Sequence, residues 1–172
     1  LGIVQILVDK NINLDLRKAI DFVSHSQPVE VEFGVKAQII DFVKGRLDAW
    51  LDEEYDYARD VMNAVLSAQA HNPARTVAGI GELSRWVARE DWELILDNFA
   101  RCVRITRSEE QKRLNTDLLT EPQEKALYAA YESAIAGLDQ QANVDGFLSA
   151  FEPMVPAIAE FFDHVLVHDE NQ

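Results

Sequence analysis

A chain of 172 residues with 48% hydrophobic and 27% charged side chains has globular composition, long enough for one ordinary domain with a sizeable core and too short for two full ones. The formal net charge of −14 excludes a protein that holds nucleic acid by nonspecific attraction, because phosphate binding draws its affinity from cation contacts. Apolar runs such as 165–167 fall far short of the roughly 20 residues that cross a bilayer, no cleavable leader pattern opens the chain, and a lone cysteine, Cys102, excludes an internal disulfide and a Cys-based zinc site. These features predict a soluble, cytoplasmic protein.

Helical spacing recurs along the chain and strand alternation does not. Residues 2–8 read either as the end of a helix or as a short buried strand, and a second helix with Asn13 as its cap follows, up to a polar break at 24–28. Residues 1–30 are expected to be the tail of a preceding helical domain, with the main domain over 31–172. The clearest helix spans 35–53, with Val35, Ile39, Ile40, Val43, Leu47, Trp50 and Leu51 on one stripe. The next begins near Asp56, carries Val61, Met62, Val65 and Leu66, and ends before residue 71.

Asn72 and Pro73 suit the cap and first position of a helix over 73–89. Gly79 and Gly81 each weaken it by about 1 kcal/mol, a cost that close packing would justify. Asp91 is placed to cap a helix with Trp92, Ile95, Leu96, Phe99, Cys102, Val103 and Thr106 facing inward. Thr120 with Gln123 three residues on is a capping-box arrangement, Pro122 being tolerated in the first turn, for a helix running to about Gly137. A short amphipathic segment over 143–151 and a last helix from Pro153 or Pro156 through Leu166 complete an all-α chain of seven or eight helices.

Enzyme signatures are missing: there is no Gly-rich phosphate loop, G-x-S-x-G elbow or H-E-x-x-H pair. His164 and His168 have the i, i+4 spacing of helical metal ligands, but solvated polar residues are the favoured reading near so many acids. Residues 52–56 (DEEYD) read as a helix end and turn, lacking the alternating ligands and glycine of a calcium loop. Cys102 shares a stripe with Phe99 and Val103 and reads as core filler. No catalytic constellation and no metal site is expected.

Charge is unevenly spread. Residues 36–113 hold twelve of the sixteen Lys and Arg against fourteen acids, whereas 114–172 hold only Lys125 against eleven. Within 99–113 stand Arg101, Arg104, Arg107, Lys112 and Arg113, the first three stepping by three residues so that they spread over one broad helical face. That face could meet a phosphate backbone. Equally, cations in a last helical turn complement the macrodipole, and Glu90, Asp91, Glu93 and Asp97 could pair with them.

Several stretches together resemble the C-terminal part of the bacterial glycyl-tRNA synthetase beta subunit, in order and over nearly the whole chain. These are LGIVQILVDKNINLDL at the start, IIDFVKGRLDAWLDEEYDYARDVMNAVLSA, LTEPQEKALYAA, and FEPMVPAIAEFFDHVLVHDE with its Phe-Phe-Asp-x-Val core. Around Arg101 and Ile105, Ala100 and Arg104 stand where the family often has Lys and Asn. The family also continues past Phe-Phe-Asp into a further Leu-rich helix, so the last helix of the domain is expected to be missing here.

The resemblance implies an all-α helical bundle like the anticodon-binding domains of arginyl-, cysteinyl- and glycyl-tRNA synthetases. It implies a non-catalytic segment of a ligase that joins glycine to its tRNA with ATP and Mg, neither of which this segment would hold. Implied partners are glycine tRNA, the alpha subunit and the rest of the beta subunit, with no DNA and no membrane. Arg101, Arg104, Arg107, Lys112 and Arg113 become candidate tRNA contacts, with Arg46 and Arg59 beside the acidic turn as further candidates; cations would hold phosphates while stacking and edge contacts read unpaired bases. The competing expectation is an acidic helical interaction module that packs against other synthetase domains or subunits without touching tRNA.

Overall fold

A computed structural model describes residues 2–29, 31–107, 110, 114–139 and 142–165. The described residues form nine α-helices and two short 3-10 turns, with no strand, as an all-α chain requires. They divide into two compact units, Leu1–Trp86 and Val87–Gln172. That division does not coincide with the boundary expected near residue 31.

In the first unit, α1 (Gly2–Asp9), α2 (Leu16–Ser24) and α4 (Arg59–Gln69) pack on the long α3 (Phe33–Glu54), and α5 (Pro73–Val87) follows. Residues 2–8 resolve as helix: Val4 and Leu7 are buried while Ile3 and Ile6 are exposed, a period of three to four rather than two. α2 starts two residues later than expected. Asp15 is its cap, its carboxylate accepting from the Arg17 N–H at 3.0 Å, while the Asn13 side chain accepts instead from Asn72 Nδ2 at 2.7 Å.

The stripe expected on α3 is only half buried. Val43, Leu47, Trp50 and Leu51 are core residues, but Val35 and Ile39 are exposed, as is Phe42. The short α2 covers the adjacent line of α3, where Lys36 binds Asp21 at 2.8 Å and Ile40 is half-buried, and it leaves the 35–39–42 line uncovered. Residues 55–58 are not helical; Tyr55 and Tyr57 stack there with centroids 5.4 Å apart, and α4 begins after them.

Asn72 caps α5 as expected, its side chain accepting from the Arg75 N–H at 3.3 Å with Pro73 in the first position. Gly79 is buried, and a Cβ at Gly81 would meet only the Tyr57 hydroxyl, at 3.4 Å. Thr76, fully buried, donates its hydroxyl to the carbonyls of Gln69 and Asn72 at 2.8 and 3.0 Å.

In the second unit, α6 (Trp92–Thr106) packs on α9 (Val155–His164), and α7 (Pro122–Gly137) packs on α9 and α8 (Val144–Phe151). Its core is Ile95, Leu148, Val155 and Ile158, with Phe99 edge-on to Phe147 and Phe151 at 6.1 and 5.5 Å. Leu96 and Val103, expected to face inward, are exposed, whereas Asn98 is buried, its side-chain amide donating to the Leu94 carbonyl at 2.9 Å.

Two caps differ from expectation. Asp91 stands at the cap position of α6, but its carboxylate binds the Arg89 guanidinium at 2.7 and 2.8 Å instead of the helix N–H groups. Pro122 takes the first position of α7, which makes Glu121 and not Thr120 the cap. The third-residue partner is correspondingly Glu124 rather than Gln123, its carboxylate accepting from the N–H groups of Thr120 and Glu121 at 2.8 and 2.9 Å. Asn143 caps α8, accepting from the Gly146 N–H at 2.9 Å.

Candidate functional site

α6 is amphipathic: Ile95 and Asn98 face the core, and the arginines project from its C-terminal half. Arg101, Arg104 and Arg107 are thereby brought together on one element of the second unit, Arg107 just past its last turn. Arg104 and Arg107 are exposed and make no ion pair with any described residue. The negative end of the helix macrodipole lies beside them and favours their charge.

Arg101 is placed differently. Its guanidinium carbon lies 4.6 Å from the centroid of the Phe162 ring on α9, and one of its nitrogens stands 3.5 Å from Asp163 Oδ1. The side chain is 35% exposed. Phe162 is itself held edge-on to Phe161, centroids 5.5 Å apart. Linear spacing does not connect Asp163, within the Phe-Phe-Asp core of the resemblance, with Arg101, 62 residues away.

Arg46 and Arg59 belong to the first unit. Arg59, at the start of α4, binds Asp48 and Asp52 of α3 at 2.9 and 2.8 Å, and both carboxylates hold its proton more firmly than usual. Arg46 lies 5.2 Å from the Phe42 centroid. Lys112 and Arg113 lie outside the described residues.

The remaining candidates have structural partners. Asp52 of the acidic turn is bound by Arg59. Cys102 is half-buried, and burial pushes its thiol above the ordinary value, away from the reactive thiolate. His164 Nδ1 lies 3.0 Å from the Glu160 carbonyl and 3.4 Å from its carboxylate, while His168 lies outside the described residues. Among the described residues there is no cluster of three or more His, Cys, Asp or Glu that could hold a metal ion, and no helix long and apolar enough to cross a membrane.

No protein-family model matches the chain. Among individual proteins, the glycine–tRNA ligase beta subunit of Sulfurihydrogenibium sp. is 32% identical, aligned over the whole chain and 24% of that protein. That of Persephonella marina is 27% identical over the whole chain and 27% of its own length. The chain is similar throughout to one segment of glycine–tRNA ligase beta subunits. A glycine–tRNA ligase of Arabidopsis thaliana, chloroplastic/mitochondrial, is likewise 26% identical over 99% of the chain and 16% of that protein. The chain thus spans about a quarter of the length of the curated beta subunits it matches.

Proposed function

We propose that the chain is a tRNA-recognition segment of a glycine–tRNA ligase beta subunit, holding the anticodon arm of glycine tRNA through the cationic C-terminal end of α6, where Arg104 and Arg107 stand. Its task is positioning. Aminoacylation with ATP and Mg takes place elsewhere in the enzyme, on the alpha subunit or an alpha-like region, and the assembly works in the cytoplasm. What carries this reading is similarity to glycine–tRNA ligase beta subunits along the entire chain.

The electrostatics support it. Among the described residues Arg104 and Arg107 have no ion-pair partner, and their planar guanidinium forks suit phosphate oxygens. An acidic body elsewhere repels a polyanion and restricts docking to the few places where cations gather.

A second reading has its own observation. Arg59 is neutralised by Asp48 and Asp52, so this candidate cation of the first unit already serves the fold. A chain of net charge −14 whose other arginines were likewise taken up by carboxylates in the assembled enzyme would act as an interaction module against other synthetase domains or subunits.

Titration of the chain, alone and within the assembled ligase, with glycine tRNA over a range of salt separates the two. Under the first reading Arg104→Ala/Arg107→Ala weakens binding and flattens the salt dependence by roughly 0.7–0.9 logarithmic units per lost phosphate contact. Unchanged affinity and slope in the assembled ligase would favour the interaction module.

A further inference from the structure

Resting on the tRNA reading, we infer that Arg101 is a positioning residue and not a phosphate contact. Its guanidinium, engaged by Phe162 and Asp163, fastens the C-terminal half of α6 to α9 so that Arg104 and Arg107 are presented to the RNA backbone.

Three observations carry this. The guanidinium carbon of Arg101 lies over the Phe162 ring, 4.6 Å from its centroid, a contact that the broad, weakly hydrated guanidinium makes better than a compact, strongly hydrated ammonium. The Asp163 carboxylate stands 3.5 Å from the guanidinium and is itself well exposed, so a phosphate brought to Arg101 would have to sit beside a carboxylate. Arg104, three residues on along α6, and Arg107, just past its last turn, are exposed and have neither an aromatic nor an acidic partner among the described residues. Cations on one helix are thereby divided between holding and presenting.

Fastening matters at this place because α6 reaches its C-terminal end here. Terminal turns fray unless tertiary contacts hold them. The contact between α6 and α9 through Arg101 and Phe162 lies one turn before Arg104 and two turns before Arg107. Holding that turn fixes the direction in which both guanidinium groups leave the helix.

The test uses the complete chain with four variants: Arg101→Ala, Arg101→Lys, Phe162→Leu and Arg104→Ala/Arg107→Ala. Glycine tRNA binding is measured at several salt concentrations, and amide hydrogen exchange is followed over residues 102–107. Arg101→Ala, Arg101→Lys and Phe162→Leu are expected to weaken binding several-fold with the salt slope unchanged, and to speed exchange in the last turn of α6. The double variant is expected to flatten the slope and leave exchange as it was.

A flattened slope in Arg101→Ala together with wild-type behaviour of Arg101→Lys and Phe162→Leu would make Arg101 a direct contact and overturn the inference. Should the double variant leave affinity and slope untouched, the tRNA reading fails. Hydrogen exchange then judges the fastening by itself: unaltered exchange in Arg101→Ala and Phe162→Leu overturns it, and faster exchange in both upholds it.

Discussion

Arg89 and Glu152 form an ion pair that ties the turn before α6 to the junction of α8 and α9. The same guanidinium holds Asp91 at 2.7 Å, and the two carboxylates together raise its pKa above the ordinary arginine value, Asp91 contributing most. One side chain thus replaces the missing cap of α6 with a tertiary link.

Because Arg89 serves both carboxylates, its replacement by Ala is expected to lower the melting temperature more than replacement of either acid alone. Glu152→Ala and Arg89→Ala should be non-additive, the double variant losing less than the sum of the two. A thermal double-mutant cycle reads this directly, and strict additivity would mean that the link contributes nothing.

Leu47 and Phe42 lie five residues apart on α3 with opposite fates. Leu47 is fully buried and its truncation to Ala is expected to cost about 2–5 kcal/mol. Phe42 is 63% exposed with Arg46 over its ring, so Phe42→Ala should cost no more than about 1 kcal/mol. Urea unfolding of the two variants checks the ordering. Equal losses would show that the outer line of α3 is covered in solution.

Gly81→Ala is expected to stabilise the first unit by up to about 1 kcal/mol, since a helical interior gains from a residue with less backbone freedom. The added Cβ would meet the Tyr57 hydroxyl at 3.4 Å, an ordinary contact at the end of a side chain. A loss of stability would reveal that the Tyr55–Tyr57 stack cannot yield even slightly.

Acid sensitivity should come in two steps. Burial pushes the His71 pKa below 6.5, Arg17 and Arg75 push the same way and Asp15 opposes; the neutral ring accepts from Arg17 at 2.9 Å. The unfolded state therefore binds the proton more readily, so this contribution is complete above 6.5 and shrinks as pH falls below it. Asp15, lowered to about 2 chiefly by its hydrogen bond from Arg17, contributes stability that is present above 3.8 and is lost as pH falls toward 2. Urea midpoints between about pH 7 and 2 should show both steps, and His71→Asn should abolish only the upper one. A variant that keeps the upper step would assign it to another group.

The helices were legible where an apolar period coincided with a cap that uses its own neighbours, as at Asn72–Pro73; over 122–137 the period and Pro122 marked the helix, while its cap is Glu121 and not Thr120. Asn13 and Asp91 misled because both are capable caps whose side chains are claimed by distant or competing partners, Asn72 for one and Arg89 for the other. On α3 the stripe is buried only in part, since apolarity says which residues can be covered, while the length and placement of α2 decide which ones are. Clustering of Arg101, Arg104 and Arg107 on one helix was readable from their spacing. Their division was not, because it depends on Phe162 and Asp163 arriving from α9.

The first helical turn of α2 is knotted to the bend between α4 and α5 by three bonds. The Leu16 N–H donates to the His71 carbonyl at 2.9 Å, Arg17 donates to the His71 ring at 2.9 Å, and Asn72 donates to Asn13 at 2.7 Å. The bend at 25–29, in contrast, lies open to solvent. A protease that nicks the chain there would sever the covalent path and still leave the leading 25 residues clasped to the rest, so that the two fragments would travel together on a sizing column and part only on denaturation.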